Sequence, residues 1–164
     1  MFRDKIPNRY IFNEDKVILV ITSCSGKEAH AVIDRDEYEN VRRYHWHISK
    51  GYVLSGRHIK LANTILKTSK KVDHKDLDPL NNLKSNLREC TISQNGANRP
   101  VQKNNITGIK GVGWYPRLGK WRARIKKGGA LIHLGYFNTQ KDAAEAYNSA
   151  ALELFGEFAY LNAV

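Results

Sequence analysis

Apolar and polar positions along the chain change period more than once, and each change marks an element. Val17-Ile18-Leu19-Val20-Ile21 and Ala29-His30-Ala31-Val32-Ile33 are apolar runs of strand length, separated by the polar cluster Ser23-Cys24-Ser25-Gly26-Lys27. Such runs bounded by turn residues predict a β-hairpin over 10–22 and 28–34. Asp34, with Glu37 three residues on, reads as the N-cap of a short helix reaching Val41. Tyr44 to Ile48 and Tyr52 to Leu54 read as strands around a Lys50-Gly51 turn, with 57–60 extending the meander. Residues 59–66 read as a strand running into a short helix. His45 and His47 share one strand face while Trp46 points the other way, so the pair reads as the flank of a core tryptophan rather than a metal site.

Residues 100–105 are polar and without period, which places a linker at 101–106. Beyond it the strand pattern resumes. Lys120-Trp121-Arg122-Ala123-Arg124-Ile125-Lys126 alternates Trp, Ala and Ile with basic residues. It is flanked by strands over 108–115 and 130–137, with Lys127-Gly128-Gly129 as a turn. Thr139 caps a helix whose face carries Ala143, Tyr147, Ala150 and Leu154, widened by Ala144 and Ala151, and Gly156 ends it. Trp121, Tyr147 and Leu154 are core candidates. The fold class is α+β: a domain over 1–100, β-rich over 1–60, then a small domain of three antiparallel strands and one helix over 107–164.

Charge separates these regions further. The 164 residues include 27 Lys and Arg against 16 Asp and Glu, and residues 90–141 hold ten of the cations and no carboxylate. A basic block of this kind is suited to lie against phosphates. Cys24 and Cys90 form no C-x-x-C pair, so a zinc ribbon is not supported and a reducing compartment is expected. No run approaches membrane-span length, and the first residues, M-F-R-D-K-I-P-N-R, lack the apolar core of a signal peptide.

The segment K-V-D-H-K-D-L-D-P-L-N-N-L-K-S-N-L-R-E-C-T-I-S-Q-N-G-A-N-R, residues 71–99, concentrates Asp, Asn and His. These residues favour caps and turns, so composition alone allows either a surface loop or a polar, metal-organised hairpin and helix. Spacing narrows this: Asp73 and His74 are adjacent, Asn86 lies 12 residues after His74, and Asn95 lies 21 after it.

That spacing, with N-L-R-E-C between, resembles the HNH nuclease motif, in the phage and homing-endonuclease subgroup whose third position is Asn. The resemblance implies a ββα unit over about 71–99 holding one divalent ion, Mg²⁺ or Mn²⁺. It implies His74 as general base, Asn86 as the residue orienting it, and Asp73 and Asn95 as metal ligands. Many relatives carry a His-Arg pair just before the first strand. Here the run is Leu61-Ala62-Asn63-Thr64, and Arg57, Lys60, Lys67, Lys70 and Lys71 are the candidates to replace its phosphate contact.

G-I-K-G-V-G-W, G-K-W-R-A-R-I, I-H-L-G-Y-F-N-T, A-A-E-A-Y-N-S-A-A and F-G-E-F-A-Y-L-N, within 107–162, resemble an AP2 DNA-binding domain. The resemblance implies a three-stranded sheet entering the major groove with the helix behind it. Sheet-face candidates are Lys110, Trp114, Arg117, Arg122, Arg124, Lys126 and His133. Arg124 stands where plant members often have Glu and His133 where they often have Trp, so their target preference does not transfer.

Together these readings predict a site-specific HNH endonuclease of the homing type with an AP2 targeting module, acting on double-stranded DNA in the cytoplasm of a bacterium or phage-infected cell. A monomer with one site would nick, and a dimer could cut both strands. The alternatives are an AP2 regulator with an inactive nuclease module, and a non-specific nucleic-acid-binding protein.

Overall fold

The computed structural model describes residues 7–164, so the reading of the N-terminus as no signal peptide lies partly outside the described residues. The chain divides into two compact units, Met1–Cys90 and Thr91–Val164. Both are α+β, built from small antiparallel sheets.

In the first unit β1 (Arg9–Phe12), β2 (Lys16–Thr22) and β3 (Glu28–Asp34) form a meander in that order. The hairpin read from the sequence is therefore three strands. The polar run Asn13-Glu14-Asp15 breaks the first arm, and the Asn13 N–H donates to Lys16 O at 2.9 Å. Asp34 does not cap a helix through its side chain. Its carboxylate accepts the Lys84 N–H at 2.7 Å, and a 3-10 turn, Arg35–Glu37, leads into α1 (Tyr38–Val41). β4 (Trp46–Ser49), β5 (Tyr52–Ser55) and β6 (Ile59–Lys60) form a second sheet, and α2 (Leu61–Ile65) follows directly. Leu19, Ile33, Val41, Trp46, Leu61 and Leu87 are among the residues of one apolar core. Trp46 is buried as expected and its indole N–H donates to Val41 O at 2.8 Å. β7 (Lys71–His74) and β8 (Leu87–Cys90) pair antiparallel, joined by a long loop.

The second unit opens with α3 (Ile92–Ala97), whose Thr91 cap and Gln94 make a reciprocal capping box. β9 (Val112–Tyr115), β10 (Lys120–Lys127) and β11 (Ala130–Phe137) form a sheet with β10 central, and α4 (Gln140–Phe155) packs on it. Thr139 accepts the Asp142 N–H at 3.0 Å and Gly156 ends the helix, as its sequence predicts. Gly111 has φ +76°, and a Cβ there would lie 2.2 Å from the Tyr147 ring, so this approach of strand to helix requires glycine. Among the described residues no helix is long and apolar enough to cross a membrane.

Candidate active site and nucleic-acid face

β7 places Asp73 and His74 at its end, both buried, at 6% and 8% exposure. Register puts Asp73 opposite Arg88 and His74 opposite Leu87. Arg88 donates from Nε and Nη2 to Asp73 Oδ2 at 3.0 and 2.9 Å. Two charge-assisted bonds in a nearly dry setting fix the carboxylate in place. His74 Nε2 lies 3.2 Å from Asn82 Oδ1.

Asn86, immediately before β8, ties together the loop between the two strands. Its Oδ1 accepts the Asp76 N–H at 3.1 Å, and its Nδ2 donates to Asp76 Oδ1 and Asn81 O, each at 2.8 Å. Partial burial works against ionisation of Asp76, but the Asp78 N–H, Asn86 and Asn81 outweigh it and hold the carboxyl below its usual range. The loop is also fastened to the free edge of β3: Val32 N–H donates to Leu80 O and Asn82 N–H to Val32 O, both at 2.8 Å. Lys84 adds ion pairs to Asp36 at 2.6 Å and to the buried Glu37 at 2.7 Å. Sequence reading named Asn86 but not Asn82, Arg88 or Lys84. The only signal for Asn82 was its place in an Asn-rich loop.

Asn95 lies on α3, which belongs to the second unit. The end of that helix is held by Lys110. Its ammonium donates to the carbonyls of Gly96, Ala97 and Arg99 at 3.3, 2.5 and 2.6 Å. Burial, and secondarily Arg99, push the Lys110 ammonium down to about 8. Asn162 brackets the Lys110 backbone from both sides, accepting its N–H at 2.7 Å and donating to its carbonyl at 3.1 Å. Among the described residues no group of three or more His, Cys, Asp or Glu stands placed to hold a metal.

A groove of about 660 Å³ in the first unit is lined by Lys60, Asn63, Thr64, Lys67, Lys70 and Lys71, among others. Lys70 pairs with Glu89 at 2.6 Å. Four of the five candidate phosphate contacts named from sequence thus share one depression, and it reaches β7 through Lys71.

The second unit's sheet has two unlike faces. Val112, Ala123 and Ile125 are buried, on the face α4 covers. Arg122, Arg124, Lys126 and His133 lie on the opposite face, which also holds Tyr115 and Tyr136. The Arg122 guanidinium sits 5.0 Å over the Tyr115 ring, and Tyr136 lies 5.1 Å from Tyr115 and 4.6 Å from His133. Among the described residues nothing accepts a hydrogen bond from Arg122 Nε. Trp114 is elsewhere. It pairs with Trp121 in register, edge to face at 5.3 Å, and so falls on the side of Ala123. Arg117 is exposed in the 3-10 turn Pro116–Leu118 between β9 and β10. Of the seven sheet-face candidates the fold gathers four, puts Arg117 at their rim, turns Lys110 inward and sets Trp114 on the helix side. The two tyrosines were missed because strand periodicity alone does not separate a face aromatic from a core one.

A family model, AP2 domain, matches residues 107–157. An uncharacterised HNH endonuclease of Acanthamoeba polyphaga mimivirus is 32% identical over 161 residues, 92% of this chain and 83% of that protein. Protein 3.8 of Escherichia phage T7 is 30% identical over 111 residues, covering 66% of this chain and 91% of its own. Dehydration-responsive element-binding protein 2D of Arabidopsis thaliana is 50% identical over 46 residues, 27% of this chain and 22% of its own. No solved structure matches. The identity to the viral protein runs through both units, and the plant similarity is confined to a short stretch. The chain belongs to the HNH endonuclease family and carries an AP2 domain over residues 107–157.

Proposed function

We propose that this protein is a site-specific DNA endonuclease of the homing type. In this reading residues 1–100 cut one DNA strand per binding event as a monomer in the host-cell cytoplasm, and residues 107–164 hold the enzyme on double-stranded DNA, with 101–106 between them. The observation that carries the reading is the end of β7. Asp73 and His74 are adjacent, buried, and each fixed by a specific partner, in a protein whose other unit presents an open basic sheet face.

His74 acts as general base, taking a proton from the attacking water, a role suited to a neutral imidazole near pH 7. Asn86 acts on it at one remove, by fixing the loop that carries Asn82. Asp73 and Asn95 would hold one divalent cation. A carboxylate and an amide oxygen fit a hard ion such as Mg²⁺ or Mn²⁺, and with only two protein donors the remaining positions would go to water and phosphate oxygens. When bound, the ion supplies charge stabilisation for the phosphorane and the leaving oxygen. The lysine groove beside β7 is suited to the DNA backbone near the cut. Arg122, Arg124, Lys126 and His133, with Tyr115 and Tyr136, make the targeting face; Arg117 reaches a flanking phosphate. Lys110 has a structural role, and Trp114, half-exposed on the other side of the sheet, is a contact candidate outside this face.

One observation favours a second reading, a DNA-binding regulator with an inactive nuclease unit: Arg88 already neutralises Asp73. A supercoiled plasmid assay decides between the two. Wild-type protein is expected to cut with Mg²⁺ and not without it, and His74→Ala to bind DNA but not cut. Wild-type protein that binds and never cuts, with Mg²⁺ or Mn²⁺, supports the regulator.

A further inference from the structure

Resting on the reading of the second unit's sheet as the targeting face, we propose that a tyrosine strip on that sheet reads the 5-methyl group of thymine in the major groove of duplex DNA.

The strip is apolar surface in the middle of a basic face. Tyr115 lies on β9 and Tyr136 on β11, the two outer strands, yet their rings are 5.1 Å apart. They lean toward each other across the central β10. His133 continues the row, 4.6 Å from Tyr136. Arg122 stands opposite Tyr136 in register, and its guanidinium lies 5.0 Å over the Tyr115 ring. Its Nε is buried with no acceptor among the described residues, so ring contact rather than a hydrogen bond holds the side chain at that point. Tyr136 itself is 38% exposed.

Gly113 is a second observation, independent of the rings. It stands inside β9, opposite Arg122 on the same face. It is not among the glycines of positive φ, and a Cβ there would meet nothing within 4 Å. Neither backbone nor packing requires glycine, and glycine weakens a strand. Inside a strand it marks a place where a ligand approaches closely. Here it leaves an open notch beside Arg122.

The occupant must be anionic overall and apolar where it meets the strip. Residues 90–141 hold no carboxylate, which suits a polyanion. Phosphate oxygens gain nothing from tyrosine rings. Among base edges in the major groove, the thymine methyl is the apolar feature. The rings are poorly disposed to stack unpaired bases, which need an open aromatic face. Tyr115 is engaged by Arg122 and Tyr136, and Tyr136 by Tyr115 and His133. Ring edges remain, and these suit a methyl group presented by a paired base.

The test measures binding by the full-length protein without divalent metal, on duplexes selected from a random library. Each thymine of the selected site is replaced singly by uracil, which removes only the methyl. At one position or more, uracil is expected to weaken binding about fourfold, the worth of one buried methyl-sized group. Tyr136→Ala should bring the thymine-to-uracil ratio there to about one. Gly113→Val, which suits a strand and fills the notch, should weaken binding to the selected duplex at least about fivefold, as a lost base contact does. Unchanged affinity on every uracil duplex overturns the proposal, as does wild-type binding by Gly113→Val or tighter binding to the single strands than to the duplex. If either variant fails to fold, the uracil series on wild-type protein still decides. Sequence-selective binding that ignores uracil would refute the methyl reading and leave the targeting face standing, whereas no DNA binding at all would refute both.

Discussion

Removing Arg88 tests whether the buried charge pair at the end of β7 is a structural element of the first unit. The Asp73 and Arg88 side chains are 7% and 10% exposed, and both guanidinium bonds converge on one carboxylate oxygen. Arg88→Met keeps most of the stem volume and deletes the charge, leaving Asp73 buried against an apolar end. Breaking a buried pair by deleting one partner costs about 3–5 kcal/mol. The two-stranded β7–β8 pair sits near the surface, so about 3 kcal/mol is expected. Replacing both residues with apolar ones removes the stranded charge, and the double variant Asp73→Leu with Arg88→Met should lie within roughly 1 kcal/mol of wild type. The resulting coupling is about 2 kcal/mol or more, well outside the additivity of independent sites. Trp46 is the one tryptophan of the first unit and is 1% exposed, so its fluorescence reports this unit once Trp114 and Trp121 are changed to Phe. With a urea slope of about 1–3 kcal/mol per molar, Arg88→Met should lower the midpoint by about 1–3 M. A loss below about 1 kcal/mol, or a double variant as unstable as the two single losses added, would show that water screens the pair and refute the argument.

Gly111→Ala should destabilise the second unit by about 2–5 kcal/mol, from left-handed backbone strain plus overpacking against Tyr147. Thermal unfolding of residues 91–164 reads it, and an unchanged Tm would contradict the contact. Lys110→Met should cost roughly 1–3 kcal/mol by leaving carbonyls without their donor. Its ammonium faces inward, so the log–log salt dependence of DNA binding should stay the same. A slope flattened by about one unit would instead make Lys110 a phosphate contact. Asp76 titrates below its unfolded value, so its support of the β7–β8 loop is full above about pH 4 and is lost as pH falls through the lower folded value. Hydrogen exchange at the Asp76 amide should show protection falling with acid in wild type and flat in Asp76→Asn; equal acid dependence in both would assign the loss to another group.

Much of the second unit was legible from the chain alone, because its signals are local. Trp121, Ala123 and Ile125 against Arg122, Arg124 and Lys126 is a period-two pattern, and the Thr139 and Gly156 boundaries are capping chemistry within a few residues. The adjacency of Asp73 and His74 at the end of a strand was equally plain. The tertiary structure decided which groups meet them. Strand register put Arg88 on Asp73 and moved Trp114 to the helix side, since a partner across a sheet depends on where the turn falls. Lys84 reaches Asp36 from 48 residues away, and Lys110 turns toward carbonyls 11 to 14 residues behind it. Asn82 meets His74 only because the loop docks on the β3 edge. A run of Asn and Asp carries the capacity for many such bonds, and the pairing among them is chosen by long-range packing that no local period encodes.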